Sequence, residues 1–382
     1  MPISPVSEDY LPQKRPRDFR IAIICALPLE ASAIEGLFDK RYETVFLKSP
    51  GDSNAYSTGA IGSHDVVLVH MSNMGKVAAA TAAGSLRASF PQIQLALVVG
   101  ICGGVPYTER DEEILLGDVI ISEGLVQYDF GRQYSNKRFL RKDTPRDNLP
   151  RPRPEIRSIL AKLQSEGGKA QLREATAKYL AILRHKPRSS VNYPGPAEDK
   201  LFRPGYQHKH HVLAECFICG LWEEGDACDE SARLTCKDLG CIESALMPRK
   251  RKSQPFHPEL HFGSVASGDT VMKSGEVRDE VAARDHVIAF EMEGAGIWEA
   301  FPGVLVIKGV CDYADSHKNK GWQAYAASTA ASVAAGVLVN WKPGISFFDI
   351  HSLVWKLVPA NTSQNLIITF KIRTLLKYLV KM

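Results

Sequence analysis

Leu95-Ala-Leu-Val-Val-Gly-Ile-Cys-Gly-Gly104 is an unbroken apolar run that passes straight into a glycine cluster. Residues 95–99 therefore predict a strand buried on both faces, as at the centre of a parallel sheet. The glycines beyond suit either a tight turn or close approach of backbone to a ligand. Upstream, residues 76–90 are Ala-rich and predict a helix that stops before Pro91. Residues 42–46, 54–61 and 63–71 read as strands, with Gly62 and Ser63 as a turn. Residues 19–26 (FRIAIICA) read as one more buried strand, and 30–38 continue with helical spacing at Ala31, Ile34, Leu37 and Phe38. Downstream, strands are expected at 117–122, 262–267, 287–291 and 304–310, and helices at 278–284, 294–300 and 322–339. Strands alternating with helices predict an α/β fold in three layers.

Between 135 and 259 the texture changes. Arg, Lys and Pro dominate, and only 154–164 and 173–184 suggest helices. The simplest organisation is a flexible leader (1–18), one α/β domain (19–340) with a long irregular insertion (about 135–259), and a C-terminal extension (341–382). Within that extension, 365–382 interleave apolar residues with Lys371, Arg373, Lys377 and Lys381, a pattern compatible with a basic amphipathic helix.

The 382 residues are 45% hydrophobic and 24% charged, the composition of a globular domain. A net charge of +4, from 47 basic and 43 acidic residues, argues against a general nucleic-acid binder. The first 20 residues carry Pro and charge rather than an apolar run, and no stretch of about 18 apolar residues occurs. A cytoplasmic, reduced protein without a membrane span is expected, its cysteines free.

Three acids stand at the ends of expected buried strands, where α/β folds build their sites. Glu30 follows the first strand, Glu293 lies between a strand and a helix, and Asp312 follows the last strand. Buried carboxylates require a partner or a task. The chain resembles the nucleoside phosphorylase/nucleosidase superfamily in six pieces, in the family's order. They are IAIICALPLEASA (21–33), HMSNMGKVAAA (70–80), VVGICGG (98–104) followed by GDVIIS (117–122), SGDTVM (267–272), FEMEGAG (290–296) and KGVCDYAD (308–315). The longer ending CDYADSHKNKGWQAYAASTAA (311–331) is similar to the fungal branch, often found at the head of multidomain proteins with a nucleotide-binding switch or repeats.

The resemblance implies an α/β/α sandwich around a central mixed sheet, a homo-oligomer, and cleavage of the bond between a purine and its ribose. No cofactor is expected. Asp312 would protonate the base at N7, aided by a raised pKa in a dry pocket. Glu293 would accept hydrogen bonds from ribose hydroxyls and favour a cationic sugar. Glu291, Met292, Gly103, Cys102, Val271 and Met272 would line the substrate pocket. Cys102 and Cys311 lack a paired His motif and are expected to be passive.

Nucleophile choice follows from charge. Phosphorylases of this superfamily hold phosphate with an arginine after the first strand, in a Gly-Asp-Pro-Leu-Arg setting. Here the matching stretch is Ala26-Leu-Pro-Leu-Glu30, and the other phosphate-binding places fall on Val98 and Ile101. A carboxylate repels phosphate but can activate water, as in methylthioadenosine/adenosylhomocysteine nucleosidases. Hydrolysis of adenosine, methylthioadenosine or adenosine phosphates such as ATP is the expectation. A phosphate-dependent phosphorylase and a non-catalytic nucleoside-sensing module are the alternatives. Those nucleosidases carry a serine where Ile101 stands and an aromatic residue where Val271 stands, which leaves the 5′ substituent open. Arg132, Lys137 and Arg138, or the Arg249–Lys252 cluster, could hold phosphates if the substrate carries them. Finally, Cys216-x-x-Cys219 and the wider pair Cys236/Cys241 could supply a structural zinc, with Cys228, His208, His210 and His211 close in sequence.

Overall fold

The computed structural model describes residues 14–43, 47–135, 139–186, 191–211, 216–220, 228–251, 257–318 and 320–344. The chain divides into two units, Met1–Trp341 and Lys342–Met382, and every element named below lies in the first. The basic helix expected over 365–382 lies outside the described residues, as does most of the leader. No helix among the described residues is long and apolar enough to cross a membrane.

In chain order the first half contains β1 (Ile21–Cys25), α1 (Pro28–Gly36), β2 (Lys40–Tyr42), β3 (Ala55–Ile61), β4 (His64–His70), α2 (Lys76–Ser89), β5 (Leu95–Gly104) and β6 (Val119–Gln127). Next come β7 (Gly131–Gln133), β8 (Phe139–Arg141), α3 (Pro154–Gln164), α4 (Glu166–His185) and α5 (Phe217–Gly220). The chain continues through β9 (Leu260–Ser267), α6 (Gly275–Asp285), β10 (Val287–Glu291), α7 (Gly294–Trp298), β11 (Leu305–Asp312) and α8 (Gln323–Asn340).

Successive strand residues point to opposite faces, and both faces here are apolar. Ile21, Ile23, Val66 and Leu68 join the core beneath α1, α3, α4 and α8. Ala22, Ile24, Val67 and Val69 join the core beneath α2 and α7. Each fully buried Ile or Val contributes about 1.5–3 kcal/mol, so this double burial commits the sheet to a central layer. Helix α8 is apolar around most of its circumference and correspondingly buried along nearly its whole length. Its alanines allow close approach to the sheet: a Cβ at Gly309 on β11 would stand 2.0 Å from the Ala326 carbonyl oxygen.

The mixed sheet runs β10-β9-β6-β11-β5-β1-β4-β3-β2. Its core pairs β4–β1–β5–β11 are parallel, β11–β6 is antiparallel, and β6–β9–β10 are again parallel. One further pairing shapes the molecule. Strand β10 also pairs antiparallel with β5, setting Ala289 opposite Gly104 and Phe290 opposite Gly103. Strands β5, β11, β6, β9 and β10 thus close on themselves, and the ends of β5, β10 and β11 converge.

Of the two readings open for the glycines at 100–104, the tight turn does not hold: they form the second half of β5. Residues 135–259 are also not irregular throughout. Helices α3 and α4 contribute Ile156, Leu160, Leu163, Leu172 and Leu183 to the main core. These side chains recur at helical spacing, but Lys and Arg on the outer face obscure the pattern in composition. The irregular part begins after His185.

Candidate active site

Glu30 is the third residue of α1, and its side chain folds back over the start of the helix. Oε2 accepts from the Ala26 and Leu27 amides at 3.0 and 2.9 Å, and Oε1 accepts from the Ile101 amide at 2.8 Å. The first two bonds satisfy donors that a helix start leaves orphaned. The third requires β5 to pass very close, and only glycine permits it. A Cβ at Gly100 would lie 2.1 Å from Glu30 Oε1. Gly100→Ala is therefore expected to lower stability by about 1–3 kcal/mol through overpacking. A fall in the urea midpoint would register this; an unchanged midpoint would mean that Glu30 is not held against β5.

Glu293 caps the start of α7 and Glu291 ends β10. Both are buried, and so is Lys308 in the middle of β11. Lys308 Nζ donates to Glu293 Oε2 at 2.8 Å and lies 3.8 Å from Glu291 Oε2. One ammonium thus answers three carboxylates, counting Glu30. Burial pushes Glu30 and Glu291 above the ordinary glutamate range, opposed by Lys308. Burial by itself would lower Lys308, but Glu293, Glu30 and Glu291 outweigh it and hold the ammonium above its usual value.

Asp312 is the last residue of β11. Its Oδ1 accepts from the Ala314 amide at 2.9 Å and is ion-paired with Lys318, while Cys311 Sγ donates to Oδ2 at 3.3 Å. An ammonium, Lys318, thus rests against the carboxyl expected to serve as the acid. Gly103 lets Asp312 approach β5, since a Cβ there would meet Asp312 Oδ1 at 2.9 Å.

These groups surround one cleft of about 230 Å³. Glu30, Glu293 and Asp312 line it, as do Gly103, Cys102, Val271, Met272, Met292 and Glu291. The role expected for Glu291 changes, however. Its oxygens accept from the Glu293 and Gly294 amides at 3.0 Å and its side chain is 0% exposed, so it braces the start of α7 rather than offering itself to a ligand. Burial pushes the Cys102 and Cys311 thiols upward, in keeping with passive walls.

The phosphate-binding expectations fare differently. Arg132 sits on the exposed β7–β8 hairpin and does not line the cleft, and Lys137 and Arg138 lie outside the described residues. Arg249 Nη2 donates to the Ile114 carbonyl at 2.6 Å, Lys250 pairs with Asp111 at 2.7 Å, and Arg251 pairs with Asp118. The cluster at 249–251 fastens the insertion to the domain and is already engaged. Sequence reasoning missed Lys308 and Lys318. Lys308 had a signal, since a lysine inside the apolar run VLVIKGV demands buried partners. Lys318 had none, because its place depends on how the loop after β11 folds.

The cysteine set also divides otherwise than expected. Cys216 and Cys219 gather with Cys228 and His210, whereas Cys236 and Cys241 gather with His208.

A profile of the Phosphorylase superfamily matches residues 20–180. A nucleotide-binding leucine-rich repeat (NLR)-like protein of Hyaloscypha variabilis is 30% identical over 340 residues, covering 87% of this chain and 30% of its own length. A 5′-methylthioadenosine/S-adenosylhomocysteine nucleosidase of Mycobacterium bovis is 30% identical over 112 residues, which is 29% of this chain and 39% of that protein. The chain thus spans well under half the length of either relative. Among solved structures, futalosine hydrolase of Helicobacter pylori superposes with a TM-score of 0.50 at 17% identity, over 85% of this chain and 99% of that one. That likeness is one of fold.

Proposed function

We propose that this chain, whose residues 20–180 match the Phosphorylase superfamily profile, hydrolyses the N-glycosidic bond of a purine nucleoside or nucleotide, releasing free base and the ribose moiety. The carrying observation is the charge of the nucleophile end of the cleft. Glu30, Glu293 and Glu291 cluster there around the single buried ammonium of Lys308. Among the described residues that line the cleft, the one cation is Lys318, and it is engaged by Asp312. Incoming phosphate would meet net negative charge, whereas water would meet a fixed base.

The same charge suits the reaction. Departure of the purine leaves an oxocarbenium-like ribose, which an anionic wall stabilises. Glu30, immobilised by three amides, takes the proton of water as oxygen attacks the anomeric carbon. Glu293 receives the ribose hydroxyls. Asp312 delivers a proton to N7 of the leaving base, and this requires substrate to displace Lys318 from Oδ1. Met292 and Met272 supply apolar walls, while Val271, nearly half exposed, leaves the base side less enclosed than an aromatic residue would.

A second reading rests on the NLR-like relative, of which this chain covers only 30%. There the domain would recognise a nucleoside on behalf of a larger receptor, with little turnover.

Purified protein is to be incubated with adenosine, guanosine, inosine, methylthioadenosine, AMP and ATP, with and without phosphate, while free base is followed by chromatography. Release of base without phosphate is the expected result. Release that needs phosphate would overturn the role of Glu30. No release from a folded sample that nonetheless binds a nucleoside would favour the sensor.

A further inference from the structure

Residues 191–259 contain, among those described, one four-residue helix, a few single 3-10 turns and no strand beyond an isolated bridge. Few large apolar side chains are buried there, chiefly Leu201, Phe202 and Leu239. A segment so poor in regular structure and core needs another source of order. Its cysteines are free thiols, so disulfides do not supply it.

Two groups of metal-ligand side chains occupy the segment. In the first, His210 Nδ1 stands 3.5 Å from Cys219 Sγ and 3.6 Å from Cys228 Sγ. With Cys216, all four ligand atoms fall within 4.8 Å of one another. In the second, His208 Nδ1 stands 3.7 Å from Cys236 Sγ and 3.8 Å from Cys241 Sγ. These spacings match the edges of a zinc tetrahedron, which bond lengths of about 2.0 and 2.3 Å place at about 3.6 Å for nitrogen to sulfur and about 3.8 Å for sulfur to sulfur. Both imidazoles turn the same nitrogen inward. For His208 the orientation is secured from outside, because Nε2 lies 3.1 Å from the Leu234 carbonyl, to which it can donate. A carbonyl on the far ring nitrogen is the usual support of a metal-binding imidazole.

We propose that the insertion is a zinc-binding module with two separate structural sites. His210, Cys216, Cys219 and Cys228 form a complete tetrahedral set. His208, Cys236 and Cys241 form a three-ligand set whose fourth place takes water. Thiolate and imidazole donors select zinc over magnesium or calcium. Each cysteine gives up its proton to solvent as the metal enters. The second site also has a structural consequence for the cleft. The His208 amide donates to Ser316 Oγ at 2.9 Å, Phe202 stacks on His317 with ring centroids 3.8 Å apart, and Asp199 accepts from the Tyr313 hydroxyl. The module therefore clamps the loop that follows Asp312 and carries Lys318. Zinc here orders the site without taking part in the chemistry.

The test is metal content, which does not depend on turnover. The chain, freed of any polyhistidine tag and produced with zinc in the medium, is to be analysed by inductively coupled plasma mass spectrometry together with thiol titration. About two zinc ions per chain are expected, with Cys216, Cys219, Cys228, Cys236 and Cys241 unreactive until a chelator and denaturant are added. Cys228→Ser should lose one zinc and Cys236→Ser the other, while the Glu30→Gln variant keeps both. Should the cysteine variants fail to fold, the native protein decides through its own zinc count and the visible spectrum of its cobalt-substituted form. Loss of one zinc in Cys228→Ser with no change in Cys236→Ser would uphold the first site and overturn the second. Metal-free protein that takes up no zinc on reconstitution, with five reactive thiols, would overturn both. Either outcome leaves the hydrolase reading to be judged by base release alone.

Discussion

Base release should fall by about 10²–10⁴-fold in Asp312→Asn and in Glu30→Gln, the range in which a positioned acid or base contributes. The two variants fail for different reasons. Asp312→Asn leaves N7 without a proton donor. It also removes the charge that holds Lys318, so the loop after β11 gains freedom. Glu30→Gln removes the base, and its amide group cannot be accommodated without cost. Oε2 faces two amide donors and Oε1 a third, so either orientation sets N–H against N–H. That conflict costs about 1–3 kcal/mol of stability. Turnover must accordingly be compared at a temperature where thermal unfolding shows each variant folded. A pH profile adds a separate check. Burial raises Glu30, so activity of the native protein should climb with pH through a value above the ordinary glutamate range as the base loses its proton. Folded variants that release base at the native rate would remove Asp312 and Glu30 from the mechanism.

Lys308→Met should destabilise the fold by about 3–5 kcal/mol near neutral pH, the cost of stripping a buried charge cluster of its partner. Methionine fills the volume, so the loss reports charge rather than a cavity. Glu293, Glu291 and Glu30 would be left facing one another without compensation. The sign with pH follows from which form is favoured. Lys308 is raised in the folded state, so its contribution is fully present below the ordinary lysine value and is lost only as pH rises through the higher folded value. At neutral pH the whole contribution is at stake. In the variant, acidification should recover stability as Glu30 and Glu291, both raised by burial, take up protons, so the gap from the native protein narrows between pH 7 and pH 5. Urea unfolding at both values measures this. A variant as stable as the native protein at pH 7 would mean that the cluster carries no uncompensated negative charge and that the anionic wall proposed for the cleft does not exist.

Much of the fold could be read from the chain because apolar periodicity is local. The runs at 21–25, 95–99, 287–291 and 304–310 are too short for helices and too continuous for exposed strands, so each could be placed before any contact was known. Glu30, Glu293 and Asp312 were legible for the same reason: each interrupts or ends such a run with a charge that burial makes costly. Other features were missed. Helices were expected at 154–164 and 173–184, but that α3 and α4 pack into the main core was obscured by the basic residues that dominate the composition of their outer face. Arg249 to Lys252 stood as one candidate phosphate cluster, since a charge count does not say which acids face Arg249, Lys250 and Arg251.

A layered α/β domain, three strand-end acids and a cysteine-rich insertion are local properties, legible from residues close together along the chain. How they combine depends on contacts between distant segments. The antiparallel pairing of β10 with β5 closes five strands and brings Glu293 to the cleft that Glu30 and Asp312 share. The loop after β11 lays Lys318 on Asp312, Gly100 admits Glu30, and the cysteines sort between His208 and His210 rather than by their spacing. Electrostatics and coordination act across a few ångströms of space, whereas a sequence orders residues only along the backbone.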